Sequence, residues 1–140
     1  MRDAGLTIRP EWLVSADFTI QGAYASARQL LGSSMERPTA VFAASDEMAI
    51  GTILAARDFG LRVPQDLSVI GIDGHELGEL FGLTTIDQDP RGQGALAVRR
   101  LLAGLEGGAE TAAADTEYPT KFVIRSSTAV PPVDAAPLRG

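Results

Sequence analysis

Apolar residues along this chain fall into two rhythms, short unbroken runs and longer stretches spaced three and four apart, and the two alternate. Thr39 to Ala44 is a short run with β-branched and aromatic members, the composition of a buried strand. Ser45 and Asp46 follow at once, and Asp46 is suited to cap the next helix. That helix carries Met48, Ile50, Ile53, Leu54 and Phe59, with Ala49 and Ala56 filling in, a pattern for burial against a sheet. Gly60 supplies a left-handed stop, and Pro64 prevents continuation. Leu67 to Ile72 is a second run, closing on Asp73 and Gly74. The pattern predicts a βαβ unit with parallel strands and a right-handed crossover.

The rest of the chain repeats the alternation. Arg2 to Leu6 reads as the tail of a helix closed by Gly5. Trp12 to Ala16 is a strand candidate, followed by a helix from Ile20 to Leu31 with Ala23, Ala27, Leu30 and Leu31 on its apolar side and Gly32 as its stop. After Gly74, HELGELFG allows one or two helical turns, and Leu83 to Ile86 is a short β-branched strand. Pro90 sits near the first turn of a long helix, Arg91 to Leu105, striped by Leu96, Val98, Leu101, Leu102 and Leu105. A Gly/Ala-rich segment, 106–115, reads as a mobile loop, Tyr118 to Arg125 as a last strand, and 131–140 as a disordered tail. Five strands alternating with four helices predict an α/β doubly wound, mostly parallel sheet. Polar hinges, DQDP before the long helix and EGGAETAAAD after it, suggest that this helix belongs to a neighbouring lobe.

Composition narrows the function. With 140 residues there is about one domain's worth of core, and no internal repeat appears. A formal net charge of −6 argues against autonomous nucleic-acid binding, because no basic face is available for phosphates. The absence of cysteine removes disulfides and thiolate metal sites. No apolar run approaches the roughly 18 residues of a spanning helix, and MRDAGLTIRPEW lacks the layout of a signal peptide. The expectation is a cytoplasmic protein without membrane contact.

Open parallel sheets bind ligands beyond the carboxyl ends of their strands, which is where Ser45, Asp46 and Asp73 are expected. A carboxylate there can accept a ligand or simply cap a helix. Enzyme signatures are absent: no GxGxxG follows a strand, no GxxxxGK[ST] loop exists, and GxSxG is missing. The one histidine, His75, lies in a glycine-flanked loop and reads as a solvated imidazole. Asp87 and Asp89 are the nearest approach to a carboxylate cluster, better read as an acidic hinge or helix start. Neither a catalytic constellation, a metal site nor a cofactor is expected.

The segments SDEMAIGTILAARDFGLRVPQDLSVIGIDG, LTTIDQDPRGQGALAVRRLLAGL and FVIRSST resemble, in order and spacing, the LacI-type (lactose-repressor/galactose-repressor) family of bacterial transcription regulators. DFTIQGAYASARQLL resembles an earlier family segment, one residue shorter between Phe18 and Gly22. The resemblance runs from about Arg2 to Thr128. It implies an incomplete two-lobed module of periplasmic-binding-protein-like fold, mainly the C-terminal lobe over residues 1–130. Residues 88–115 would return to an N-terminal lobe that this chain does not carry. Helix-turn-helix and hinge helix are likewise without counterpart here, so DNA is reached only through a parent regulator.

By the same resemblance, Phe18 corresponds to the aromatic residue lying against the effector ring, with a core aromatic as the competing reading. Ser45 corresponds to a polar contact with effector hydroxyls, while Asp46 caps the helix and orients the loop. Asp73 corresponds to the acidic ligand residue, and Gln88 either reaches the effector from the hinge or is a plain hinge residue. The implied function is effector sensing, most often of a sugar, by a homodimeric repressor that answers through lobe closure. The helix after Asp46 and the segment from His75 to Phe81 are the candidate dimer surfaces, with Ile53 and Leu54 as test positions. A sugar-binding protein of a transport system shares the fold but would need an export signal. A response-regulator-like or small α/β enzyme would need more clustered acidic or nucleophilic residues.

Overall fold

A computed structural model of the chain describes residues 9–33, 36–105 and 117–131. The readings of residues 2–6, of 106–115 and of the tail from 132 lie outside the described residues. Four strands, β1 (Ala40–Phe42), β2 (Ser68–Asp73), β3 (Thr84–Asp87) and β4 (Lys121–Val123), form one sheet in chain order. β1, β2 and β3 run parallel, and β4 is antiparallel to β3. The helices are α1 (Ile20–Gly32), α2 (Asp46–Asp58), the single turn α3 (Leu77–Leu80) and α4 (Pro90–Leu105).

The core lies between α1, α2 and one face of the sheet. Leu31, Ile50, Ile53, Leu67, Val69 and Leu83 are buried there, each side chain worth about 1.5–3 kcal/mol against exposure. Gly51 lets α1 lie close on α2, since a Cβ there would meet Ile20 O at 2.4 Å. Further along, Gly32 abuts Phe59, so α1 and α2 run in the same direction. α2 ends where the sequence predicts: Gly60 has φ +68, and Leu61 N–H donates to Ala56 O at 2.9 Å, closing the last turn. The segment after β4 is stitched underneath the sheet by Ser127, whose hydroxyl donates to Val69 O (2.6 Å) and accepts from Thr84 N–H (2.8 Å).

Three expectations are corrected. Trp12 to Ala16 forms no strand: Pro10–Trp12 makes a 3₁₀ turn, and residues 13–17 run on without a ladder partner. An apolar run becomes a strand only where a neighbour answers its backbone N–H and C=O groups. The cap of α2 is Ser45, not Asp46, with Ser45 Oγ accepting from Met48 N–H at 3.1 Å. Ile53 is only 2% exposed, so it serves the core and offers nothing to a partner. On the opposite face of the sheet, Phe42 and Phe122 stand 63% and 57% exposed. α4 has no buried residue, and Leu101 and Leu105 are exposed along it.

Candidate functional site at the carboxyl edge of the sheet

The carboxyl ends of β1, β2 and β3 gather most of the residues picked from sequence. Ser45 follows β1, Asp73 ends β2, and Gln88 follows β3. Asp73 and Asp87 are register partners, and Gln88 N–H reaches Asp73 O at 3.4 Å. Phe18 lies just before α1, which runs parallel to α2, and so sits at the same end of the helix layer. It is 65% exposed, which excludes the core-aromatic reading.

Asp46 is wholly buried at the first turn of α2 and acts inward. Its Oδ1 accepts from the Thr85 hydroxyl at 2.6 Å, and its Oδ2 from His75 N–H at 2.7 Å. One carboxylate therefore ties α2 to β3 and to the loop following Asp73. The arrangement needs Gly71, where a Cβ would stand 2.2 Å from Asp46 Oδ1. Nothing in the sequence pattern marks Gly71 as that vacancy or Thr85 as that donor. His75 has a structural task as well, its Nδ1 accepting from Leu77 N–H at 3.1 Å.

Asp73 is held under strain. Its φ is +129, a backbone state that residues with a Cβ rarely adopt. Gly74 beside it, at φ +77, packs so closely on Asp87 that a Cβ would lie 2.5 Å from Oδ1. Burial pushes the Asp73 carboxyl above the usual carboxylate range; the negative charge of Asp46 adds to this, while the Asp46 backbone N–H opposes it. A left-handed backbone and partial burial thus meet on one carboxylate at the sheet edge.

The connection from β3 to α4, read from sequence as a hinge, is built around Asp89. Its Oδ1 accepts from Gly92 N–H (3.0 Å) at the start of α4, and its Oδ2 accepts from the Tyr118 hydroxyl (2.6 Å) on the returning chain. Asp87 Oδ1 accepts from Asp89 N–H at 2.8 Å. The Tyr118 hydroxyl, foremost, and Gly92 N–H hold the Asp89 carboxyl below its usual range. Sequence reading missed Tyr118 as the partner closing the hinge. No group of three or more His, Cys, Asp or Glu able to hold a metal occurs among the described residues. Neither Asp73 nor Gln88 lines the cavities of about 510 and 400 Å³.

Comparison with known proteins gives the shelf its context. Residues 1–128 match the family described as periplasmic binding protein-like domain. The HTH-type transcriptional repressor PurR of Erwinia tasmaniensis is 41% identical over 128 residues, which cover 90% of this chain and 37% of the repressor. The LacI family transcriptional regulator of Arthrobacter sp. FB24, solved in complex with lactose, superposes with a TM-score of 0.73 at 35% identity, over 81% of this chain and 43% of that one. A Lac repressor dimer bound to operator and the anti-inducer ONPF gives 0.74 at 35% identity, over 81% and 39%. The chain thus spans well under half the length of the relatives it matches. It belongs to the periplasmic binding protein-like domain family, among the LacI-type regulators, whose C-terminal portion it covers.

Proposed function

We propose that this chain is the effector-sensing portion of a LacI-type transcriptional repressor, with a sugar as its effector. The strained, desolvated carboxylate of Asp73 on the sheet's carboxyl edge carries the reading. Sugar hydroxyls donating to Asp73 contribute about 1.5–3 kcal/mol of binding. Phe18 offers its exposed ring to the apolar face of the sugar, and Gln88 reaches it from the hinge. Ser45 still has its hydroxyl proton to donate, since its oxygen accepts from Met48 N–H. Asp46 touches no ligand and sets the Asp73 loop through His75 N–H. The lactose complex of the Arthrobacter regulator supports the sugar class, and the repressor names of the relatives favour regulation over transport or catalysis.

The mechanism is a population shift. An effector seated between this shelf and a facing lobe favours the closed arrangement by its differential affinity alone. α4 docks on that facing lobe, which explains its exposed Leu101 and Leu105, and the Asp89–Tyr118 pair fixes where the chain leaves and returns. DNA binding and the cytoplasmic setting belong to the parent repressor. The dimer forms through the α3 region, where Leu80 is 80% exposed. Leu80→Arg should leave the chain monomeric in sedimentation; an unchanged dimer would remove α3 from the interface.

Thermal unfolding against a panel of sugars, sugar phosphates and nucleobases tests the effector class. Binding at 100 times Kd adds about 2.7 kcal/mol to the folded state. A selective upward shift with a sugar, lost in Asp73→Ala, is expected. A shift with nucleobases alone would overturn the sugar assignment.

A further inference from the structure

We infer a second binding site at the amino edge of the sheet, a cavity that takes a small organic phosphate at Arg57 and Arg62. The cavity holds about 510 Å³. It is lined by the end of α2, the connection from α2 to β2, Phe81 ahead of β3, and Ser126 and Ser127 beyond β4. β4 runs antiparallel to β3, so all of these meet where β2 and β3 begin. Asp73 closes the far end of β2, six residues along, roughly 17 Å at about 3.3 Å per residue. The cavity is therefore separate from the carboxyl edge and its effector residues.

Charge sets the sign of the occupant. The chain carries a net charge of −6, yet no Asp or Glu lines this cavity and two arginines do. Among the described residues Arg57 forms no ion pair, and its guanidinium lies over the Phe81 ring, 5.6 Å from the centroid. Arg62 is committed in part. Its Nε and Nη2 donate to Asp66, each at 2.8 Å, which leaves Nη1 without a partner among the described residues. The Asp66 carboxylate offsets charge on Arg62, so Arg57 is the uncompensated cation. Stacking holds one guanidinium and a carboxylate orients the other, which prepares both as forks for an oxyanion.

Size and donor number narrow the class further. A volume within roughly 300–1,000 Å³ suits a small organic molecule and exceeds the needs of an inorganic ion. Leu61, Val63 and Phe81 are half-buried in the lining and supply apolar surface for a carbon body. The Ser126 hydroxyl reaches Gly82 O only at 3.5 Å, and the exposed Gln65 amide adds a further donor at the rim. A phosphate monoester brings about −1.5 to −2 charges and three acceptor oxygens to answer donors on separate segments. A carboxylate brings a single charge and two oxygens.

Phenyl phosphate, titrated into the full chain, tests the site while NMR follows the arginine Nε–H signals and the backbone amides. Saturable shifts are expected at Arg57, Gln65 and Ser126, with inorganic phosphate about tenfold weaker and phenol without effect. Arg57→Gln alters an exposed side chain outside any ion pair, so the fold should hold while binding weakens by about tenfold or more. Gln65→Glu sets a carboxylate at the rim and should weaken binding likewise. Asp73→Ala should leave the titration unchanged, which separates this site from the sugar reading. No saturation at millimolar phenyl phosphate overturns the site, as do equal shifts at Arg99 and Arg100 of α4, which would mark a diffuse ion atmosphere. Equal binding of inorganic phosphate removes the carbon body from the assignment, and equal binding of phenol removes the anion.

Discussion

Asp73 concentrates the conflict between folding and binding at a single residue. Its carboxyl is raised above its value in the unfolded chain, so the unfolded state releases this proton at lower pH. Stability therefore falls as pH climbs through the window just above the ordinary carboxylate value. Asp73→Asn removes that cost. Its thermal midpoint at pH 7 should rise while sugar binding weakens by about tenfold or more; a lower midpoint with unchanged binding would refute the assignment. Asp46 and Gly71 form a steric pair. Gly71→Ala drives a methyl against Asp46 Oδ1 and should cost about 1–3 kcal/mol. In an Asp46→Ala background the same change should cost clearly less, and additive losses in denaturant unfolding would mean that the two do not interact. Asp66 offers a control far from the site. Arg62 beside it lowers its carboxyl to about 2, a stabilisation present above the unfolded value and lost as pH falls through that point. The pair is exposed and worth little. In Arg62→Ala, an NMR titration of Asp66 should rise only part of the way to the ordinary carboxylate value, because the backbone N–H of residue 62 still donates to Oδ2.

At the scale of elements, the caps and hinges decide what can move. α2 starts at a hydroxyl cap and ends at a left-handed glycine, so both ends are closed without help from distant residues. Ser45→Ala should cost about 1 kcal/mol in unfolding free energy. α4 is different, because Asp89 just before it accepts both from Gly92 N–H in its first turn and from the Tyr118 hydroxyl on the returning chain. Tyr118→Phe should lift the Asp89 titration midpoint toward the ordinary range and barely move the thermal midpoint, since Asp89 is exposed and Tyr118 only half-buried; a large loss of stability would make the pair structural and not a hinge. The failure of Trp12 to Ala16 as a strand belongs to this scale too. The run has strand composition, yet pairing is a property of two segments, and among the described residues no strand pairs with it.

The whole molecule is closed on one side and open on the other. α1 and α2 seal one face of the sheet, while Phe42, Phe122 and the leucines of α4 remain exposed, more apolar surface than a self-sufficient domain normally shows. This agrees with a chain that spans well under half of its relatives. The candidate site lies at the carboxyl edge of this sheet, and the proposed function sets a facing lobe above it.

The sequence by itself determined the local events: the alternation of runs and periodic stretches, the stop at Gly60, the parallel βαβ unit, and the family through contiguous motifs. These are legible because each depends on residues within a turn or a strand of one another. Only the tertiary structure decided that Asp46 turns inward to Thr85 and His75, that Gly71 makes the room for it, and that Tyr118 closes the hinge. It also showed Phe18 to be exposed and Ile53 to be buried. Those facts join residues tens of positions apart, where hydrogen-bond satisfaction and packing, and no local pattern, choose the partner.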